Sequence, residues 1–308
     1  MPTYPATPPT LAGDVLTISR FLESPTRVHR RVRDITSQQF IAEKLLGGTP
    51  VNAAGGAIVY DVSESIFTDR DPGLVNAGAE YPRAISPDGA AAIARTSKYG
   101  QDVSITDEKL KREQGRAVND GLRKSTNQTV AYVDGVVLTT VNTLVTQTYT
   151  ATAAWTNSAT SDPVRDVNRA VAIVADLGEE YHPDIIVCNY DNAALLASNQ
   201  KVISGMPREA TNNITQTGDF GMIGGLMIWA VPARRMPSGV GAFVADSQAL
   251  GFMAWEDLGS PEYVGDPRGV QTWIRRNPVG NDEWLLRTRR VFAAAVTDPA
   301  AAVKIVGV

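Results

Sequence analysis

The sequence predicts an α+β fold in which one long helix follows a β-hairpin and precedes a compact α/β unit. Three observations carry this. Leu110, Val118, Leu122, Val130, Val133, Val137, Val141 and Leu144 recur at spacings of three, four and seven or eight, one apolar stripe at helical period. Before the stripe, "AIVYDVSESIF" and "AIARTSKYGQDVSIT" read as strands around a segment rich in Gly, Pro, Asp and Asn. After it, residues 150–258 mix capped helices with short apolar strands.

At 308 residues the chain is long enough for one large domain or two ordinary ones, and its 43% apolar content allows a real core. A formal net charge of −4 gives no global basic signature of nucleic-acid binding. Cys188 is the only cysteine and lies in "DIIVCNY", so no disulfide forms within the chain and the thiol is expected to be buried. With His29 and His182 as the only histidines, no His/Cys zinc pattern can be written. The start, "MPTYPATPPT", lacks the basic and apolar regions of a secretory signal. No uninterrupted apolar run approaches the ~20 residues of a membrane span. The expectation is a soluble protein made in a reducing cytoplasm, with the triplets "NQT" at Asn127 and "NIT" at Asn213 as chance matches.

The elements follow in order. Residues 1–19 carry four prolines in the first nine positions and read as an extended arm. In "SQQFIAEKLLGG", Phe40, Ile41 and Leu45 share a helical face and Gly47 ends it. Residues 57–105 read as one long hairpin whose tip has few large apolar residues. Two-stranded hairpins are marginal in water, so this one needs a surface to lie on, and that surface need not belong to the same chain. Thr106 followed by Asp107 and Glu108 is an N-cap with acids in the first turn. A continuous helix over 107–145 would be roughly 55–60 Å long, with Gly115, Gly121 and Gly135 as places for a kink or break. Asp162 with Pro163 opens a helix, "DIIVCNY" is a buried strand, and "DNAALLASNQKVI" is a second capped helix. "GGLMIWAVP", "GVGAFVADSQ" and "GFMAWED" are strands. Residues 268–308 read almost wholly as β: "GVQTWIRRN", a turn at "PVGND", "EWLLRTRRVFAAAVTD" and "PAAAVKIVGV".

Catalytic motifs fail on context. "DFG" at 219–221 and "SPE" at 260–262 resemble pieces of a kinase activation segment, but no phosphate loop, strand lysine or "HRD" accompanies them. "GMIGGL" at 221–226 lacks dinucleotide-binding spacing, and "GVGAF" runs into a strand. Neither a nucleophile elbow nor a P-loop is present, and Cys188 with His182 reads as a buried thiol rather than a catalytic pair. Neither catalytic residues, cofactor nor metal is expected; the competing enzyme reading would centre on 150–258.

Charge is distributed unevenly. Residues 20–34 hold a local +3, with Arg27, Arg30, Arg31 and Arg33 forming either a solvated helix face or an arm that meets an acidic surface or nucleic acid. Residues 58–90 carry −4, with Asp69, Asp71 and Glu80 among the acids. Residues 268–290 carry +4, including Arg275, Arg276, Arg287, Arg289 and Arg290. The acidic hairpin and basic β segment form either an intramolecular pair or the two sides of a head-to-tail contact between identical subunits.

This order of parts resembles the major capsid proteins of tailed double-stranded DNA bacteriophages, the Hong Kong 97-type fold. The residues carrying the resemblance are "KYGQDVSITDE", "HPDIIVCNYDNAALL", "ARRMPSGVGAFVADSQAL" and "RTRRVFAAAVTDPAAAVKIVG", and it spans about residue 20 to 308. It implies an N-terminal arm (1–50), an extended loop (57–100), a peripheral domain (101–149 and 259–298) with a spine helix at 106–145, an axial domain (150–258) and a closing strand (299–308). It also implies pentamers and hexamers that close into an icosahedral shell around packaged DNA, with portal, scaffolding and decoration proteins as partners and assembly in the bacterial host cytoplasm. The arm starts within 20 residues of Met1, so a scaffold is expected to be a separate protein or absent. Some members crosslink a loop lysine to an asparagine; the hairpin here offers Lys98, near its base. An encapsulin-like compartment of the same fold is the alternative.

Overall fold

The computed structural model describes residues 26, 28–30, 32, 40–62, 65–85, 89–113, 115–157, 160–199, 221–277 and 282–308. In chain order the elements are α1 (Ala42–Leu45), β1 (Val51–Asn52), β2 (Ala57–Val62), β3 (Ala90–Arg95), β4 (Ser97–Thr106), α2 (Asp107–Glu113) and α3 (Gly115–Leu144). There follow β5 (Thr148–Thr150), α4 (Pro163–Ala175), β6 (Ile185–Asn189), α5 (Tyr190–Ala197), β7 (Met222–Ile223), β8 (Leu226–Val231) and β9 (Val240–Ala245). The last are α6 (Ser247–Leu250), β10 (Gly251–Trp255), β11 (Gln271–Arg276), β12 (Glu283–Val296) and β13 (Ala302–Val306). They divide into two compact units, one from Met1–Gln38, Lys98–Thr129 and Leu258–Arg290, the other from Gln39–Ser97, Val130–Asp257 and Val291–Val308.

In the first unit β4 and β11 both pair with the first half of β12, β11 antiparallel from Gln271↔Arg289 to Arg276↔Trp284. Gly100 permits the β4 contact, because a Cβ there would stand 2.8 Å from the Thr288 carbonyl. The first half of α3 closes on β4 at Gly121, where a Cβ would meet Ile105 at 3.2 Å. Thr288 Oγ1 shares hydrogen bonds with Ser125 Oγ (2.7 Å) and Thr129 Oγ1 (3.2 Å), so the buried hydroxyls satisfy one another. Residues 26, 28–30 and 32 are helical; Val28 and Val32, four apart, are buried while Arg30 is exposed.

The second unit holds a six-stranded sheet in the order β5-β13-β9-β6-β8-β7. β6 and β8 run parallel, while β9 is antiparallel to both β6 and β13. Four of the five β6 residues are buried, as a strand covered on both faces requires. Asp162 caps α4 by accepting the Arg165 N–H at 3.3 Å, with Pro163 at the first turn. The second half of α3 ends beside β13, where Lys304 Nζ donates to the Asn142 carbonyl at 3.1 Å and supplies the cation that the helix terminus lacks in its own last turn. The hairpin β2–β3 is antiparallel. Its inner face joins a small core of Ala53, Ile58, Ala254, Ala293 and Ala295, and Tyr60 meets Phe252 edge-on. Val59 and Ile93, directly opposite each other, stay exposed on the outer face.

Some expectations change. The hairpin does not run from 57 to 105. Its return strand breaks at Thr96, and β4 pairs with β12 instead of β2. The alternation in β4 turns Tyr99, Gln101, Val103 and Ile105 to its more buried face, so these residues need a packed body rather than a free ribbon. In the helical region α2 and α3 stand on either side of residue 114, which lies outside the described residues, and α3 is about 45 Å long at its 30 residues. The stripe is buried from Val118 to Val141, but Leu144 is 39% exposed. Finally, α5 starts at Tyr190, one residue before the expected segment, and Asn189 caps it by accepting the Asn192 N–H at 2.6 Å.

Candidate assembly surfaces

Among the described residues, the loop at residues 65–85 is open to solvent at nearly every position. Leu74 is 98% and Tyr81 81% exposed, and Ile66, Phe67 and Ile85 are also open to solvent. The neck of the loop is closed by two hydrogen bonds: the Asp69 N–H donates to the Ile85 carbonyl (3.0 Å), and the Ile85 N–H donates to Asp69 Oδ1 (2.7 Å). Asp69 thus has a structural job, with Arg70 beside it at 3.7 Å. Asp71 and Glu80 are exposed.

The basic β segment is largely satisfied within its own unit. Arg287 forms a two-pronged pair with Asp102, Nε to Oδ1 at 2.5 Å and Nη2 to Oδ2 at 2.6 Å, which pushes its pKa further up. Its guanidinium also lies 4.9 Å from the Trp273 ring centre, and Trp273 stacks on Tyr263. Arg276 pairs with Asp107 at 2.7 Å. Arg289 donates to Gln271 at 2.9 Å and lies over Tyr263. Arg289 and Arg290 are 5% and 3% exposed, which takes them off the surface, whereas Arg275 and Arg276 are exposed. Lys98 is exposed at the start of β4. Of the arm's arginines Arg30 is exposed, and Arg27, Arg31 and Arg33 lie outside the described residues.

Two acids that sequence reasoning passed over organise the second unit. Asp134 interrupts the apolar stripe of α3 and is fully buried. Its Oδ1 accepts the Ile41 and Ala42 N–H groups at 3.2 and 3.1 Å, and its Oδ2 accepts from Arg235 at 2.8 Å. Burial holds its carboxyl above the ordinary range, opposed by those N–H groups and by Arg235. The signal was present: an acid four residues after Val130 and three before Val137 must face the core and needs partners there. Glu179, after α4, is the other; nothing local in the sequence marks its contacts.

Among the described residues, no group of three or more His, Cys, Asp or Glu is placed to hold a metal ion. No helix among them is long and apolar enough to cross a membrane. A depression of about 600 Å³ beside α4 is lined by Tyr149, Arg169, Ala172, Ile173, Ala175 and Asp176, which supply neither a nucleophile–base pair nor a Gly-rich anion cradle. Cys188 is fully buried, and burial pushes its pKa up to about 12, which makes it a poor nucleophile.

Residues 89–305 match the sequence profile of a family described as phage capsid protein. No curated protein matches the chain. Among solved structures, a chain of Mycobacterium phage Adephagia is similar at a TM-score of 0.59 and 12% identity, covering 85% of this chain and 89% of that one. The capsid structure of cyanophage P-SCSP1u is similar at 0.51 and 13% identity, covering 87% and 88%. A virus-like particle from Pyrococcus furiosus is similar at 0.57 and 11% identity, covering 91% and 97%. At such identities these likenesses concern the fold, a mixed helix and sheet architecture shared with phage capsids. The profile match spans well over half the chain, and the chain belongs to the phage capsid protein family.

Proposed function

We propose that this structural capsid protein is the major shell subunit of a tailed double-stranded DNA phage with Hong Kong 97-type organisation. It would form pentamers and hexamers that close around packaged DNA and act without catalysis, assembling in the host cytoplasm with portal, scaffolding and decoration proteins. The observation that carries this reading is the loop at 65–85, which leaves Leu74 98% and Tyr81 81% exposed. Large apolar side chains held open on an irregular segment mark an interaction surface. In a homo-oligomer the partner is a further copy. The acidic Asp71 and Glu80 face the exposed Arg275 and Arg276 of a neighbour, with the arm's Arg27, Arg30, Arg31 and Arg33 at the same join. Each exposed ion pair contributes little, about 1 kcal/mol or less, and repetition around closed rings makes the sum large.

Negative-stain electron microscopy of the purified protein tests the reading: closed icosahedral particles support it, and a monodisperse monomer or dimer sinks it. The double substitution Arg30→Glu with Arg31→Glu is expected to leave a folded subunit and to impair assembly, read by sedimentation. The likeness to a virus-like particle favours one second reading, a compartment of the same fold that holds protein cargo. Nucleic acid inside native particles separates virus from compartment.

A further inference from the structure

The exposed loop is fastened to its own unit at its stem. Ser65 Oγ donates to Glu179 Oε1 at 3.0 Å, and the Ile66 N–H donates to Glu179 Oε2 at 2.9 Å. Ser65 Oγ in turn accepts the Phe67 N–H at 3.2 Å. Both oxygens of one carboxylate therefore hold two consecutive residues at the point where the chain leaves the hairpin. Glu179 itself is held between two left-handed residues, Gly178 at φ +77° and Glu180 at φ +57°. Glu180 is the sole non-glycine residue with positive φ among the described residues. Further along, the Asp69–Ile85 bonds close the neck. Beyond the neck the tip is open: Leu74 and Tyr81 are not covered by their own subunit. A restraint against assembly would bury that tip, whereas this clasp presents it.

We propose that Glu179 is a positioning residue for assembly, whose carboxylate aims the loop so that its tip meets a second copy of the chain already oriented. This rests on the capsid reading above. An irregular segment loses conformational freedom when it docks, and a stem fixed beforehand loses less.

The test compares Glu179→Ala, Glu179→Gln and Ser65→Ala with the wild type. Glutamine keeps the clasp, because its Oε1 can accept the Ile66 N–H while its amide donates to Ser65 Oγ. Three readouts are used: trypsin cleavage at Arg70 and Arg83 in free subunits, the protein concentration at which light scattering detects shells, and the melting temperature. Glu179→Ala is expected to be cut about fivefold faster and to need about fivefold more protein to assemble, a change on the scale of one lost hydrogen-bonded clasp. Its melting temperature falls by no more than about 2 °C, Glu179→Gln stays within about twofold of the wild type, and Ser65→Ala falls between. Three results overturn the proposal alone: wild-type behaviour of Glu179→Ala, equal impairment of Glu179→Gln, or a fall in melting temperature that accounts for the assembly loss. A wild-type chain that never forms shells overturns the capsid reading and this proposal with it; the cleavage ratio in free subunits still tells whether the clasp holds the stem.

Discussion

The second half of α3 and the loop at 65–85 belong to the same compact unit and solve opposite problems. From Val130 to Val141 the helix buries Val130, Val133, Val137, Leu138 and Val141. Where a carboxylate enters that face, at Asp134, it arrives with three donors. The loop does the reverse. Its apolar residues face solvent, its regular structure ends at Val62, and two pairs of hydrogen bonds at stem and neck hold it. The helix is complete within one chain; the loop has its anchors but not its cover. A single unit thus contains a body packed within the chain and an appendage whose apolar residues the chain itself leaves exposed.

Substitutions separate the two. Val130→Asp places an unpaired charge at a fully buried site and is expected to cost about 4–5 kcal/mol or prevent folding, read by thermal melting and circular dichroism. Asp134→Ala removes the acceptor of two backbone N–H groups and strands the mostly buried Arg235, with an expected loss of about 3 kcal/mol. Asp134 also gives a pH signature. Its folded pKa is raised, so its stabilising contribution is full below the ordinary unfolded value of about 4 and declines as pH rises through the folded one. The melting-temperature advantage of the wild type over Asp134→Asn should therefore be largest in acid and shrink toward neutrality; an advantage that grows with pH contradicts the sign. In the loop, Leu74→Asp with Tyr81→Asp should change subunit stability by less than about 0.5 kcal/mol and still abolish particles in sedimentation. Cys188 is the smallest case: burial pushes its pKa up to about 12, so the neutral thiol dominates at pH 8. Ellman's reagent should not react until the subunit unfolds.

How much of this was legible follows from the range of each interaction. The α3 stripe was readable because helical period is local. The split of the hairpin at Thr96 was not, because β4 is β-compatible against either β2 or β12, and only packing onto the body chooses. The basic β segment was seen as a charge excess. That Arg287 would pair with Asp102, 185 residues earlier, and that Arg289 and Arg290 would be buried, depended on tertiary placement. The Glu179 clasp joins residues 114 positions apart through a turn with left-handed backbone, and no periodicity announces it.

The contrast between helix and loop is tested most directly by amide hydrogen exchange on the free subunit and on assembled particles. Residues 130–144 should exchange equally slowly in both, and residues 65–85 should exchange quickly in the subunit and at least about tenfold more slowly in particles. Fast exchange of the loop in both states would mean that no neighbour covers it, and would contradict the account.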